Sequence, residues 1–142
     1  MPARTKARKR ALDVLYEADL MTQDALATLA TRIEQSDPPV PEYAAELVEG
    51  VVEHRRSLDR LIASVAEGWS IARMPAVDRN VIRIGAFELL YRDDVPDGVA
   101  ISEAVELVGR LSTEESASFV NGVLGKIAQR AEPETQGEPS GP

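Results

Sequence analysis

Residues Ser118-Phe119-Val120-Asn121-Gly122-Val123-Leu124 read as two structures at once. Asn-Gly is among the strongest short turn signals, because both residues tolerate positive φ. Yet Phe119, Val120, Val123, Leu124 and Ile127 recur at the three- and four-residue spacing of an amphipathic helix. The apolar pattern crosses the dipeptide without a break, so helix is the predicted state. Gly122 costs that helix about 1 kcal/mol relative to alanine. The cost is tolerable where a missing side chain admits another helix. Gly85, inside a second strongly apolar segment, is the expected counterpart, with the two helices crossing near both glycines. Asn121 would then hydrogen-bond a neighbouring helix end or a ligand.

The segment that holds Gly85 runs from Pro75 to Tyr91 and is apolar over most of its circumference: Val77, Val81, Ile82, Ile84, Phe87, Leu89 and Leu90. A helix apolar nearly all round is central in a fold. Around it, glycines and prolines punctuate further helical patterns. The first runs from Arg4 to Leu20, with Ala7, Ala11, Val14, Leu15 and Ala18 as its buried stripe. Lys6, Lys9, Arg10, Asp13 and Tyr16 fall outside that stripe, while Arg4 and Arg8 flank it. A second, from Asp24 to Gln35, carries Leu26, Leu29, Ala30 and Ile33. Asp37-Pro38-Pro39-Val40-Pro41 cannot continue a helix, since proline lacks the amide and clashes with the preceding turn. Two more helices follow, on Tyr43 to Val52 and Leu58 to Val65, and Trp69 is expected to plug the core. A sixth spans Val99 to Leu111, and the last reaches Arg130. No strand pattern occurs. The fold class is therefore all-α, a compact bundle of about seven helices in two small sub-bundles that share the central fifth. Residues 1–131 are expected to form one domain, and residues 132–142 an acidic, Pro/Gly-rich disordered tail.

Composition narrows the chemistry. The 142 residues contain no cysteine and one histidine, His54, which excludes a disulfide framework, thiolate chemistry and a histidine-rich metal cluster. An ordinary Ser-His-Asp triad lacks support, Asp93-Asp94 lack the spaced ligands of a calcium loop, and no cofactor is implied. The absence of a long apolar run or a signal-peptide pattern makes cytoplasmic the expected location. Charge is asymmetric. Residues 1–10 carry +5 from Arg4, Lys6, Arg8, Lys9 and Arg10, leaving −13 on the rest of a chain whose total is −8. That is a local basic patch on an acidic body.

"FVNGVLGKI" at 119–127 resembles the C-terminal signature of the NusB family of bacterial transcription antitermination factors. "VDRNVIRIGAFELLYRDDVPDGVAISEAVELV" at 77–108 is similar to the family's central block, "RKRALDVLYEAD" at 8–19 to its opening helix, and "LDRLI…W" at 58–69 to the link between them. The four motifs stand in the expected order over residues 4–130.

The resemblance implies a non-catalytic RNA-binding factor. Family members bind the boxA element of ribosomal RNA leaders as a single strand, together with the ribosomal small-subunit protein NusE. They support read-through by RNA polymerase in a complex with other Nus factors. The RNA surface would comprise Arg4, Lys6, Arg8 and Lys9, then Tyr16, then Glu115, Ser116, Ser118 and Phe119 at the start of the last helix. Cations for phosphates, aromatic faces for bases and free amides at a helix N-terminus suit a single strand. NusE would dock along the central helix at Asp78 and Arg79. Thr5 and Ala7 interrupt the basic run, and Glu114–Ser118 offers no lysine, so fewer phosphate contacts are expected than in the most basic members. Monomer and homodimer both remain open. Two other readings stand beside this one: a helical accessory module like that at the N-terminus of ribosomal RNA cytosine methyltransferases, and a protein-interaction bundle with no RNA role.

Overall fold

The computed structural model describes residues 2–35 and 38–137, with side chains through Arg130. Seven α-helices lie among them: α1 (Ala3–Met21), α2 (Ala25–Gln35), α3 (Glu42–Glu53), α4 (Arg55–Val65), α5 (Ala76–Tyr91), α6 (Asp97–Leu111) and α7 (Glu114–Gly137). A single 3₁₀ turn, Ile71–Arg73, leads into α5. The helices sort into two groups around α5. One is α1, α2 and α3; the other is α4, α6 and α7, and α5 packs on members of both. Instead of ending near Arg130, α7 continues through residues 132–137 of the expected tail, and residues 138–142 lie outside the described residues.

The sequence explains why α5 sits at the centre. Asp78 and every residue from Asn80 to Glu88 are buried, so both groups of helices find an apolar face on it. Burial of Asp78, Asn80, Arg83 and Glu88 within that stretch demands hydrogen-bonded partners. On α4, Asp59 accepts from Arg83 Nε at 2.9 Å; the partners of the other three, described below, come from α1, α3 and α7.

Glycines mark two close approaches. A Cβ on Gly85 would lie 2.7 Å from Leu124 Cδ1, so α5 and α7 cross at Gly85 as expected. Gly122 is not the facing residue. It is exposed, and a Cβ there would meet nothing within 4 Å. Leu124 fills the crossing instead, and Asn121-Gly122 lie on the solvent face of an unbroken helix. The other approach is Gly50 on α3, where a Cβ would lie 2.2 Å from Phe87 Cζ.

Two other expectations are corrected. Leu26, Ala30 and Ile33 are exposed, because α2 buries only Thr28 and Leu29 and lies at the edge of the bundle. Trp69 does not plug the core; it is 46% exposed. It follows Gly68, whose φ of 79° turns the chain out of α4, so the ring no longer belongs to a helix face.

Candidate nucleic-acid interface

The arginines and lysines of α1 divide into two populations. Arg8 is buried, and its Nε lies 3.0 Å from both carboxylate oxygens of Glu88 on α5. Its Nη1 is 3.3 Å from Glu103 on α6, which also accepts a hydrogen bond from Thr5 Oγ1 at 2.8 Å. The Tyr43 hydroxyl donates to the second oxygen of Glu88. Burial alone would lower the Arg8 pKa; the hydrogen bond and charge of Glu88, together with Tyr43 and Glu103, more than offset this and raise it. Burial, reinforced by the hydrogen bond and charge of Glu88, pushes the Tyr43 hydroxyl well above the ordinary tyrosine range. The guanidinium of Arg8 is thus held by two acids inside the protein. Arg4 lies at the edge of the same cluster, its guanidinium 4.1 Å from the Tyr43 ring centroid and 2.9 Å from Asp94.

Lys6, Lys9, Asp13, Tyr16 and Leu20 share the opposite strip of α1, because three- and four-residue steps return to one helix face. Lys6 is exposed and has no ion-pair partner among the described residues. Lys9 makes a half-exposed pair with Asp13 at 2.8 Å. Tyr16 is 36% exposed, at the boundary between packing residue and accessible ring.

Beside this strip, α1 and α6 enclose a mainly apolar cleft of about 120 Å³ lined by Thr5, Arg8, Lys9, Glu106, Leu107 and Arg110, among others. The next residues along the chain open a second, larger cleft of about 520 Å³ between the Trp69–Pro75 segment, Asp78 and the start of α7. The predicted residues of α7 meet here. Ser116 is buried and donates to Asp78 Oδ2 at 2.8 Å, and Thr113 Oγ1 accepts the Ser116 amide at 3.0 Å. Glu115 and Ser118 are exposed, and Phe119 is half-buried against Trp69 with ring centroids 5.9 Å apart.

Asp78 and Arg79, expected to meet a partner protein, are engaged within the chain. Asp78 is buried beneath Ser116, and its Oδ1 has no hydrogen-bond partner among the described residues. Arg79 donates from Nε and Nη2 to the two oxygens of Asp19, at 2.7 and 2.8 Å, and from Nη1 to the Met74 carbonyl at 3.1 Å. The hydrogen bond from Arg79 holds the Asp19 carboxyl below its usual range despite partial burial. Asn80 adds a third donor to Asp19 at 2.8 Å.

Sequence reasoning therefore found the exposed strip and the start of α7. It missed Trp69, Arg110 and Leu111 as accessible lining residues. For Trp69 the signal was present, since a tryptophan just after a helix-ending glycine lies outside any helical stripe. Arg110 and Leu111 gave none, because a helix pattern does not say which neighbour stops short of covering it. Among the described residues there is no group of three or more His, Asp or Glu side chains able to hold a metal, and no helix long and apolar enough to cross a membrane.

The NusB family model matches residues 5–129. The transcription antitermination protein NusB of Nocardioides sp. is 57% identical over 129 residues, which cover 91% of this chain and 96% of that protein. Its counterpart in Saccharopolyspora erythraea is 62% identical over 130 residues, covering 90% and 88%. The NusB structural match from a complex of antitermination factors NusB and NusE with double-stranded RNA gives a TM-score of 0.80 at 32% identity. It covers 89% of this chain and 96% of that one.

Proposed function

The chain belongs to the NusB family, and we propose that it acts as a transcription antitermination factor, binding boxA-type single-stranded RNA of ribosomal RNA leaders together with NusE. The observation that carries this reading is the exposed strip Lys6–Lys9–Tyr16, whose neighbouring clefts lead to the start of α7. Lysines draw the phosphates, and accessible aromatic faces stack bases at about 1–3 kcal/mol each. Arg4 can exchange its exposed Asp94 pair for a phosphate, since such pairs are worth little in water. Arg8 serves instead as the internal tie that presents the strip. The protein holds RNA and a partner and performs no chemistry; residues 1–131 act as one cytoplasmic RNA-binding domain, with 132–142 outside it. NusE docks near Asp78 and Arg79, over a surface whose side chains are already fixed by internal bonds.

The test is a titration of a boxA-like RNA with and without purified NusE, at two salt concentrations. Binding is expected to be salt-sensitive and to strengthen sharply with NusE. Replacing Lys6 and Lys9 by alanine should flatten the slope of log affinity against log salt by about 1.4, at about 0.7 for each phosphate contact on a single strand. A folded protein that binds no RNA, with or without NusE, would sink the reading and leave a protein-only interaction bundle.

A further inference from the structure

We infer that the cavity between the end of α1 and the starts of α2 and α4, floored by α5, binds a small organic oxyanion. The ligand class is a phosphate or carboxylate group on a short apolar body, with Arg55 and Arg83 as the groups that hold the anion. The site lies at the opposite end of α1 from Lys6 and Lys9, and the inference does not depend on the RNA reading.

Charge is the first reason. Arg83 is buried on α5 and gives Nε and Nη2 to the two oxygens of Asp59, at 2.9 and 3.2 Å, and Nη1 to Asn80 Oδ1 at 3.1 Å. Arg55, at the start of α4, donates from Nε to the same carboxylate at 3.1 Å, so Asp59 serves two guanidiniums. The other acid in reach is Asp19, 3.8 Å from Arg83 Nη1, and both its oxygens are already held by Arg79 and Asn80. Three arginines thus share two carboxylates, an excess of one positive charge. Exposed Asp24 lies between two lining residues but is not part of the wall, and water screens it. Burial pushes the Arg83 pKa down; Asp59 and Asp19 do not make up the loss, and the charge of Arg55 adds to it. A buried cation short of compensation is stabilised by a further anion.

Free donors are the second reason. A guanidinium carries five N–H groups, and on Arg55 only Nε has a partner among the described residues. Its side chain is 46% exposed, free to turn toward a ligand. Both arginines line the cavity, and their planar forks match phosphate and carboxylate oxygens. Size is the third. The cavity measures about 260 Å³, just below the range for drug-sized ligands, which restricts the ligand to a small one. Leu15, Ala18 and Ala25 give it an apolar wall beside the arginines, suited to a short hydrocarbon part.

The probes are inorganic phosphate, propyl phosphate and butyrate, each titrated into the full chain at constant ionic strength with chloride as the balancing anion. Heteronuclear NMR follows the amides of Thr22, Gln23 and Ala25 and the Nε–H signals of Arg55 and Arg83. Saturable shifts at these positions are expected, with a melting temperature that rises as the site fills. Propyl phosphate should bind more tightly than inorganic phosphate, by about fourfold for each methylene buried. Its affinity relative to butyrate identifies the preferred head group. Arg55→Ala, at an exposed position, should weaken binding by about tenfold to a hundredfold, and Arg55→Lys should restore part of it. No saturable shift with any probe would overturn the inference. So would affinity unchanged in Arg55→Ala, or shifts centred on Lys6 and Lys9, which would assign the anion to the α1 strip instead.

Discussion

The two ends of α1 are fastened to α5 by the same chemistry with the polarity reversed. Near the start of α1 the cation is on α1 and the acid on α5, Arg8 to Glu88; near its end the acid is on α1 and the cation on α5, Asp19 to Arg79. The pairs also show that the two helices run antiparallel. The difference lies in water. The Arg8 and Glu88 side chains are 6% and 1% exposed, whereas those of Arg79 and Asp19 are 19% and 18% exposed. A buried pair is a poor source of net stability, yet removing one partner strands a charge in the core. A pair that solvent still reaches in part can be re-solvated when broken. The first end therefore fixes which α1 cations stay inside, and the second positions the helix with less at stake.

The sharpest way to break the comparison is Arg8→Ala. It leaves Glu88 and Glu103 facing each other with no cation between them, and a loss of about 3–5 kcal/mol in urea denaturation is expected. Asp19→Ala should cost less, about 1–2 kcal/mol by the same measurement, because solvent reaches the Arg79 guanidinium. Equal losses at the two ends would mean that burial does not distinguish them.

Acid should separate the ends next. Asp19 has a folded-state pKa lowered from 3.8, chiefly by the hydrogen bond from Arg79. A depressed carboxylate contributes stability that is present above the unfolded value and lost as pH falls through the folded one. Stability measured from pH 5 downward should therefore begin to fall below about pH 4, and more shallowly in Asp19→Asn. Exposed Asp94, held at about 2 by hydrogen bonds from Arg92 and then Arg4, titrates in the same window of falling pH. Asp94→Asn should loosen Arg4 without unfolding the protein, seen as a chemical-shift change confined to the α1 start and the α5–α6 turn.

The smallest effect on stability belongs to the neighbour of Arg8. Lys9→Ala removes only an exposed pair one helical turn long, and should change stability by less than about 0.5 kcal/mol. Its expected consequence is weaker RNA binding with a shallower salt dependence. Arg8 and Lys9 adjoin in sequence, and their alanine variants should fail in opposite assays.

How much of this was legible in the sequence follows from what each signal measures. Apolar periodicity placed α5 at the centre, since burial on every side leaves no polar stripe. The same periodicity put Lys6, Lys9 and Tyr16 on an outer strip of α1, and the structure has them there. It also carried Val120, Val123, Leu124 and Ile127 through Asn121-Gly122 without a break. It could not say that Gly122 faces water while Leu124 reaches Gly85. A glycine gap and a glycine on a solvent face look alike until the partner helix is in place.

Helix number, the central helix and the family motifs were thus settled by the order of residues alone, because local spacing and turn chemistry act over a few positions. Which basic residue is buried, which aromatic ring stays in solvent and where an acid lacks a partner were decided only in three dimensions. Arg8 and Glu103 lie 95 positions apart, and with Tyr43 and Glu88 they meet through the packing of four helices. Trp69 and Asp78 find Phe119 and Ser116 only after α7 has folded back along α5. Desolvation is a property of the assembled neighbourhood, and no stretch of chain carries it by itself.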